Sequence, residues 1–204
     1  NITLNTDDAD VEAILASLLL TAGVAVLLAN VSHAADAGTT PSITPKAMAD
    51  ALHAVMDSDR TVYTKNVVKR LANEEKVITA SEHYVDDKAL PLPAQMFRLG
   101  AEMLTAKTLG FTYSLPSKWP LNKQNAPKTP AEIAGLDAVA ANGGKEPYYT
   151  TEELGGKKYF TAVYADVGGV GACIKCHNNH EDSPRSDFKL GDVMGGVVIR
   201  IPVQ

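Results

Sequence analysis

Behind Thr44-Pro45, apolar residues recur at helical spacing: Met48, Leu52, Val55, Met56, Val62, Tyr63, Val67, Val68 and Leu71. This pattern predicts one long or kinked helix from 45 to about 72, with proline in its first turn. Asn73 to Asp87 is polar and reads as a loop. Leu90-Pro91-Leu92-Pro93 then ends the loop and opens a second helix, roughly 93 to 107, with Met96, Leu99, Met103 and partly Phe97 on one apolar face. Gly110 to Leu115 alternates as a strand, and Pro116 to Pro130 is turn-rich. Thr129-Pro130-Ala131-Glu132 is a capping box that opens a short helix to about Ala141, ending at Asn142-Gly143-Gly144. Two β-prone runs, Tyr148 to Glu153 and Lys157 to Ala165, flank Leu154-Gly155-Gly156 and predict a hairpin. Met194 to Pro202 is a final strand.

The first part of the chain follows a different pattern. Residues 1 to 12 are polar and acidic, and Ala13 to Ala29 then runs without a charge. As a helix this run reaches roughly 26 Å, at the short end for crossing a hydrocarbon core of about 30 Å. Ser32-His33-Ala34 would suit a signal-peptide cut. The segment ahead of the run has no Lys or Arg, which favours an uncut membrane anchor. The expected organisation is an anchor or uncleaved signal over 1–31, a flexible linker over 32–44, and one folded domain over 45–204.

The chemistry of that domain is set by one pentapeptide. Cys173-Ile174-Lys175-Cys176-His177 is a C-x-x-C-H sequence, the attachment signature of a c-type haem. Two thiols three positions apart can add to the two vinyl groups on one porphyrin edge, and the adjacent histidine can reach the iron. Cys173 and Cys176 are therefore the expected covalent anchors of a single haem c, with His177 as proximal iron ligand. The rival is zinc, with His180 as fourth ligand, but four ligands within eight residues strain a tetrahedron. The chain has 2 cysteines in all, so no disulfide framework competes for them, and no thioredoxin-like pattern surrounds them. Gly168, Gly169 and Gly171 precede the motif and would let main chain turn tightly beside a porphyrin, without forming a dinucleotide or phosphate loop.

Composition narrows the function further. The 204 residues are 45% hydrophobic and 21% charged, with a formal net charge of −5 and a pI near 5.5. Clustered Lys and Arg are lacking, which excludes nucleic acid as partner, while an acidic surface allows docking to a basic one. No acid–base constellation stands apart from the haem motif, so no enzyme is expected. His53 and His83 read as a partly buried and a solvated histidine, respectively. Arg98, Lys118 and Lys123 are candidates for pairing haem propionates.

The order of elements, with Cys-Ile-Lys-Cys-His-Asn followed by Ser183-Pro184 and Asp187-Phe188-Lys189-Leu190-Gly191-Asp192-Val193, resembles the c-type-haem-binding PAS-like domain family over about residues 45 to 203. The resemblance extends to Trp119-Pro120-Leu121-Asn122-Lys123-Gln124-Asn125-Ala126-Pro127. It implies an α+β fold, a PAS-like antiparallel sheet with flanking helices, here preceded by an N-terminal transmembrane helix. It also implies a distal iron ligand on the helix before the first strand, where some relatives carry a cysteine. In this chain the matching position falls at or near Met96, with Met103 and His83 as substitutes. A His/Met pair stabilises ferrous iron and suits an electron carrier. The expected function is a membrane-anchored monohaem cytochrome carrying single electrons on the periplasmic side of the cytoplasmic membrane, as a subunit of or donor to a respiratory or photosynthetic complex. The alternative is a haem-based redox or gas sensor acting through a separate partner.

Overall fold

Thr44 opens the first helix as its position predicts: its Oγ1 accepts the Ala47 N–H at 3.1 Å, and Pro45 fills the first turn. Helix α1 (Pro45–Val62) runs without a break into Tyr63–Glu74, where the turns widen to π-helical geometry. The Glu75 N–H accordingly reaches the Arg70 carbonyl, five residues back, at 2.8 Å. One long or kinked helix is expected to about 72; its widened second half is not. The computed structural model describes residues 42–204. The expected anchor and nearly all of the linker lie outside these residues. Among the described residues no helix is long and apolar enough to cross a membrane.

The polar stretch after the rod contains a two-residue strand, β1 (Ala80–Ser81), paired in parallel with β2 (Leu90–Pro91). Helix α2 (Pro93–Ala106) follows, within a residue of its expected span. Its buried face differs from the expected methionine face. Phe97 is buried and meets Tyr113 edge-on at 4.8 Å, and Gly100 leaves room for the Tyr113 hydroxyl. This contact turns Met103 outward, where it is 68% exposed, and leaves Met96 half-buried. An aromatic ring buries more apolar area than a thioether chain, so Phe97 sets the rotation of the helix.

Strands β3 (Thr112–Ser114), β4 (Tyr148–Leu154), β5 (Lys157–Val167) and β6 (Val193–Pro202) form one antiparallel sheet in the order β3-β6-β5-β4. The expected hairpin joins β4 to β5 through Gly155 and Gly156, both at positive φ, as a two-residue type I′ turn requires. Alternation along the central strands sends side chains to two cores. Val163 and Val198 pack with Leu136 and Val139 of helix α3 (Pro130–Ala141); Ala162, Tyr164, Val197 and Ile199 pack with Ala49 of α1 and with Phe97. The molecule is thus α+β, with helices on both faces of a four-stranded antiparallel sheet.

Two polar networks tie these layers together. Arg200 on β6 bonds Glu132 on α3 at 2.8 Å and Glu152 on β4 at 2.7 Å, all three nearly buried. On the opposite face Asp50 of α1 accepts the hydroxyls of Tyr149 and Tyr164 at 2.7 and 2.6 Å and pairs with Lys46.

Candidate cofactor site

The C-x-x-C-H pentapeptide lies on helix α4 (Gly171–Asn179), an element that periodicity did not announce because its apolar stripe is too short. Residues three and four apart share a helix face, so Cys173, Cys176 and His177 point the same way. They look into a cavity of about 790 Å³, within the range of small-molecule and cofactor pockets. Its other walls come from the widened turns of the first helix, from the start of α2, from the irregular stretch at 115–125 and from the opening of β6.

Each wall has a local reason for its place. The π-helical turns bring Thr64, the adjacent pair Val68 and Lys69, and Asn73 onto the cavity side, one turn apart. Asn178, next to His177, holds the following loop with both ends of its amide: Nδ2 donates to the Phe188 carbonyl at 3.0 Å and Oδ1 accepts the Phe188 N–H at 2.9 Å. Phe188 is thereby held edge-on to the His177 ring at 6.0 Å and to Trp119 at 5.7 Å, with the Arg185 guanidinium over its face at 4.2 Å. The 115–125 stretch is tied down by Ser117 Oγ donating to the Met194 carbonyl at 2.5 Å and by the Gly196 N–H reaching the Pro116 carbonyl at 2.9 Å. At the lead-in to α4, a Cβ on Gly168 would meet Ile174 at 2.5 Å and the Met194 sulfur at 2.7 Å. Gly169 and Gly171 have open space, and none of the three has positive φ. Of the three, only Gly168 has close neighbours, the flexible ends of two side chains.

The electrostatics favour neutral ligands at this wall. Burial lowers the His177 pKa, with Asp166 pulling weakly the other way and His180 adding to the fall, so the imidazole is held in its neutral, metal-ligating form. Burial likewise raises both thiols; Arg60 opposes this at Cys173, and Glu82 reinforces it at Cys176. No group of three or more His, Cys, Asp or Glu side chains converges on a metal-sized point among the described residues, so the four-ligand zinc site weighed against haem is not assembled. One buried atom here lacks a partner: His177 Nδ1. With two cysteines free of any disulfide beside it, this wall fits a haem attached through sulfur and ligated through imidazole.

The remaining expected residues separate. Arg98 and Lys123 line the cavity, Arg98 with one nitrogen already on Glu102 at 2.6 Å. Lys118 pairs with Asp137 and lies over the Trp119 ring, off the cavity wall. Pro93, Ala94, Gln95 and Arg98 represent α2 on that wall, and Met96 is not among them. His83 is exposed, approaching Glu82 at 3.9 Å. His53 stacks on Tyr164 with ring centroids 3.9 Å apart. His180 does line the cavity, its Nε2 3.4 Å from Glu82.

The sequence reading missed Met194, a nearly buried sulfur on the wall, and the Arg60–Asp166 pair. Arg60 grips Asp166 with two nitrogens at 2.7 and 3.2 Å beside Cys173. These partners stand 106 positions apart, and no local pattern could have joined them.

A family model matches residues 42–202, which is most of the chain. The chain belongs to the Tll0287-like family. The match covers the four-stranded sheet, helices α1 to α4 and the cavity walls. A similar solved structure is that of the cyanobacterial haem protein Tll0287, at 13% identity over 78% of this chain and 97% of that one, with a TM-score of 0.48. No curated protein matches the chain.

Proposed function

We propose that this protein holds one haem c in the larger cavity, bound through Cys173 and Cys176 and ligated by His177, and that it carries single electrons. The observation that carries the reading is the placement of both thiols and the imidazole on one helix face against a cofactor-sized cavity. Family membership supports it, since the protein that gives the family its name is described as a cyanobacterial haem protein. When bound, the haem iron supplies one-electron chemistry. The chain's own residues attach it, hold the imidazole neutral, and keep its ring in place through Asn178 and Phe188. The PAS-like architecture expected from the resemblance remains part of this reading, as does a membrane anchor at 13–29 with the haem domain on the periplasmic side. Its partner is then a redox protein or a membrane electron-transfer complex, met through an acidic surface.

Met96 is proposed as the second side chain that would ligate the iron, although it does not line the cavity; Met194, a sulfur that does, is the alternative. Haem staining of the denatured protein tests the attachment: wild type retains the stain, and C173A/C176A loses it. An unstained wild type rejects the proposal. Absorption spectra of M96A and M194A test the sixth position. Loss of a methionine-to-iron charge-transfer band in M96A alone supports Met96, and its persistence there rejects it. Rapid carbon monoxide binding by the reduced protein would favour the sensor over the carrier.

A further inference from the structure

The charged side chains on the wall of the larger cavity fall into two groups. Lys69, Glu82, Arg98 and Asp182 are about half exposed, between 47% and 56%, and Lys123 is exposed as well. Arg98 also lines a smaller cavity, of about 350 Å³, between α2 and β3. Water and salt screen charges placed in this way. Arg60 and Asp166 are only 19% and 21% exposed. Among the described residues they are the least screened charges on this wall.

Arg60 is held on two sides. Its nitrogens reach both carboxylate oxygens of Asp166 at 2.7 and 3.2 Å, and its guanidinium carbon lies 5.5 Å from the centre of the Phe97 ring, itself packed on Tyr113. Asp166 stands near the end of β5, at the register break between Asp166 and Val167. As a link between α1 and β5 the pair is an inefficient stabiliser, because taking both charges out of water offsets much of their attraction. Its two charges act unequally on the attachment motif. Burial is the larger influence on both Cys173 and His177. Beyond it, Arg60 favours the Cys173 thiolate more than Asp166 opposes it, while Asp166 favours the protonated His177 imidazole. The cation is felt at one end of the motif and the carboxylate at the other.

We propose that Arg60 and Asp166 are an opposed charge pair that sets the electrostatic potential of the attachment wall, and with it the midpoint potential of the bound haem. The second part rests on the function proposed above. A carboxylate favours the ferric state, which carries one more positive charge, and a guanidinium favours the ferrous state. Asp166 therefore pulls the midpoint down, and Arg60 offsets it.

Redox titration of the purified holoprotein reads the two signs separately. R60Q leaves the carboxylate unopposed and should lower the midpoint; D166N leaves the guanidinium unopposed and should raise it. R60Q/D166N should return close to wild type, and R60K, which keeps the charge without the fork, should stay nearer to wild type than R60Q. Lost packing or entry of water would move both single variants in one direction. Shifts of one sign, or no shift in either variant, therefore overturn the proposal. A purified wild type that carries no haem overturns the reading of the larger cavity instead, and the pair is then tested on that same protein by alkylation with iodoacetamide. Cleavage after Lys175 puts the two cysteines on separate peptides, so Cys173 is read by itself. R60Q should slow its modification and D166N should speed it, since the thiolate is the reacting form. Rates that change in one sense, or not at all, overturn the pair there too.

Discussion

Gly195 shows how little freedom the cavity wall leaves to single residues. A Cβ there would stand 2.9 Å from the Pro116 carbonyl oxygen, a backbone atom already engaged by the Gly196 N–H. Nothing flexible can yield, so G195A is expected to destabilise the protein by about 1–3 kcal/mol and to loosen the 115–125 stretch. Urea unfolding measures the first effect, and hydrogen exchange at Ser117 and Gly196 the second. An unchanged midpoint would show that the stretch moves as a body. At this scale the sequence was legible where chemistry is local. Cys173, Cys176 and His177 were named from spacing alone, and the structure puts all three on one cavity. Met194 and Asp166 were not legible, because a methionine in a β-prone run and an aspartate at a strand end look like any others.

At the scale of elements, helix starts were the most readable feature, since a cap is a matter of adjacent residues. Two of them can be compared by experiment. Thr44 only caps: its hydroxyl accepts the Ala47 N–H. Thr129 accepts the Glu132 N–H at 3.2 Å and also lies 3.3 Å from an Arg200 nitrogen. T44A should cost about 1 kcal/mol, the usual value of a lost cap. T129A should cost more, because it also removes a contact of a nearly buried cation that holds two carboxylates. Equal losses by chemical denaturation would mean that Thr129 acts as a cap alone. What the sequence could not announce at this scale is the widening at Tyr63–Glu74. Helical periodicity over such a run is compatible with α or π turns, and the choice is made by what packs on either side.

At the scale of the whole molecule, the two polar networks predict how the fold answers to acid. Burial works against the Asp50 charge, but Lys46 and the hydroxyls of Tyr164 and Tyr149 outweigh it and hold the carboxyl near a pKa of about 2. Glu152 is lowered in the same sense: burial opposes its charge, and Thr161, Arg200 and Thr129 prevail. A carboxyl whose folded pKa lies below its unfolded value adds stability that is complete above the unfolded pKa and is lost as pH falls through the folded one. Urea midpoints should therefore hold above about pH 5 and fall between about pH 4 and about pH 2. D50N should be less stable at neutral pH and fall less steeply over that window. A slope as steep as that of wild type would remove Asp50 from the account. Loss of Arg200 is a harsher change: R200A strands two nearly buried carboxylates and should cost about 3–5 kcal/mol.

The sequence by itself determined the spacing that sets two thiols and an imidazole together, the hairpin with its two-glycine turn and the limits of most elements. Each of these depends on residues within a few positions of one another, where bond geometry, capping and side-chain period act directly. Tertiary structure alone decided which way α2 faces, which basic residues reach the cavity, and that Arg60 meets Asp166 beside Cys173. Those outcomes depend on how whole faces pack. Phe97 against Tyr113 turns a helix, and with it Met103 goes to the surface while Arg98 comes to stand between two cavities. Close packing couples such distant choices, and no local spacing records them.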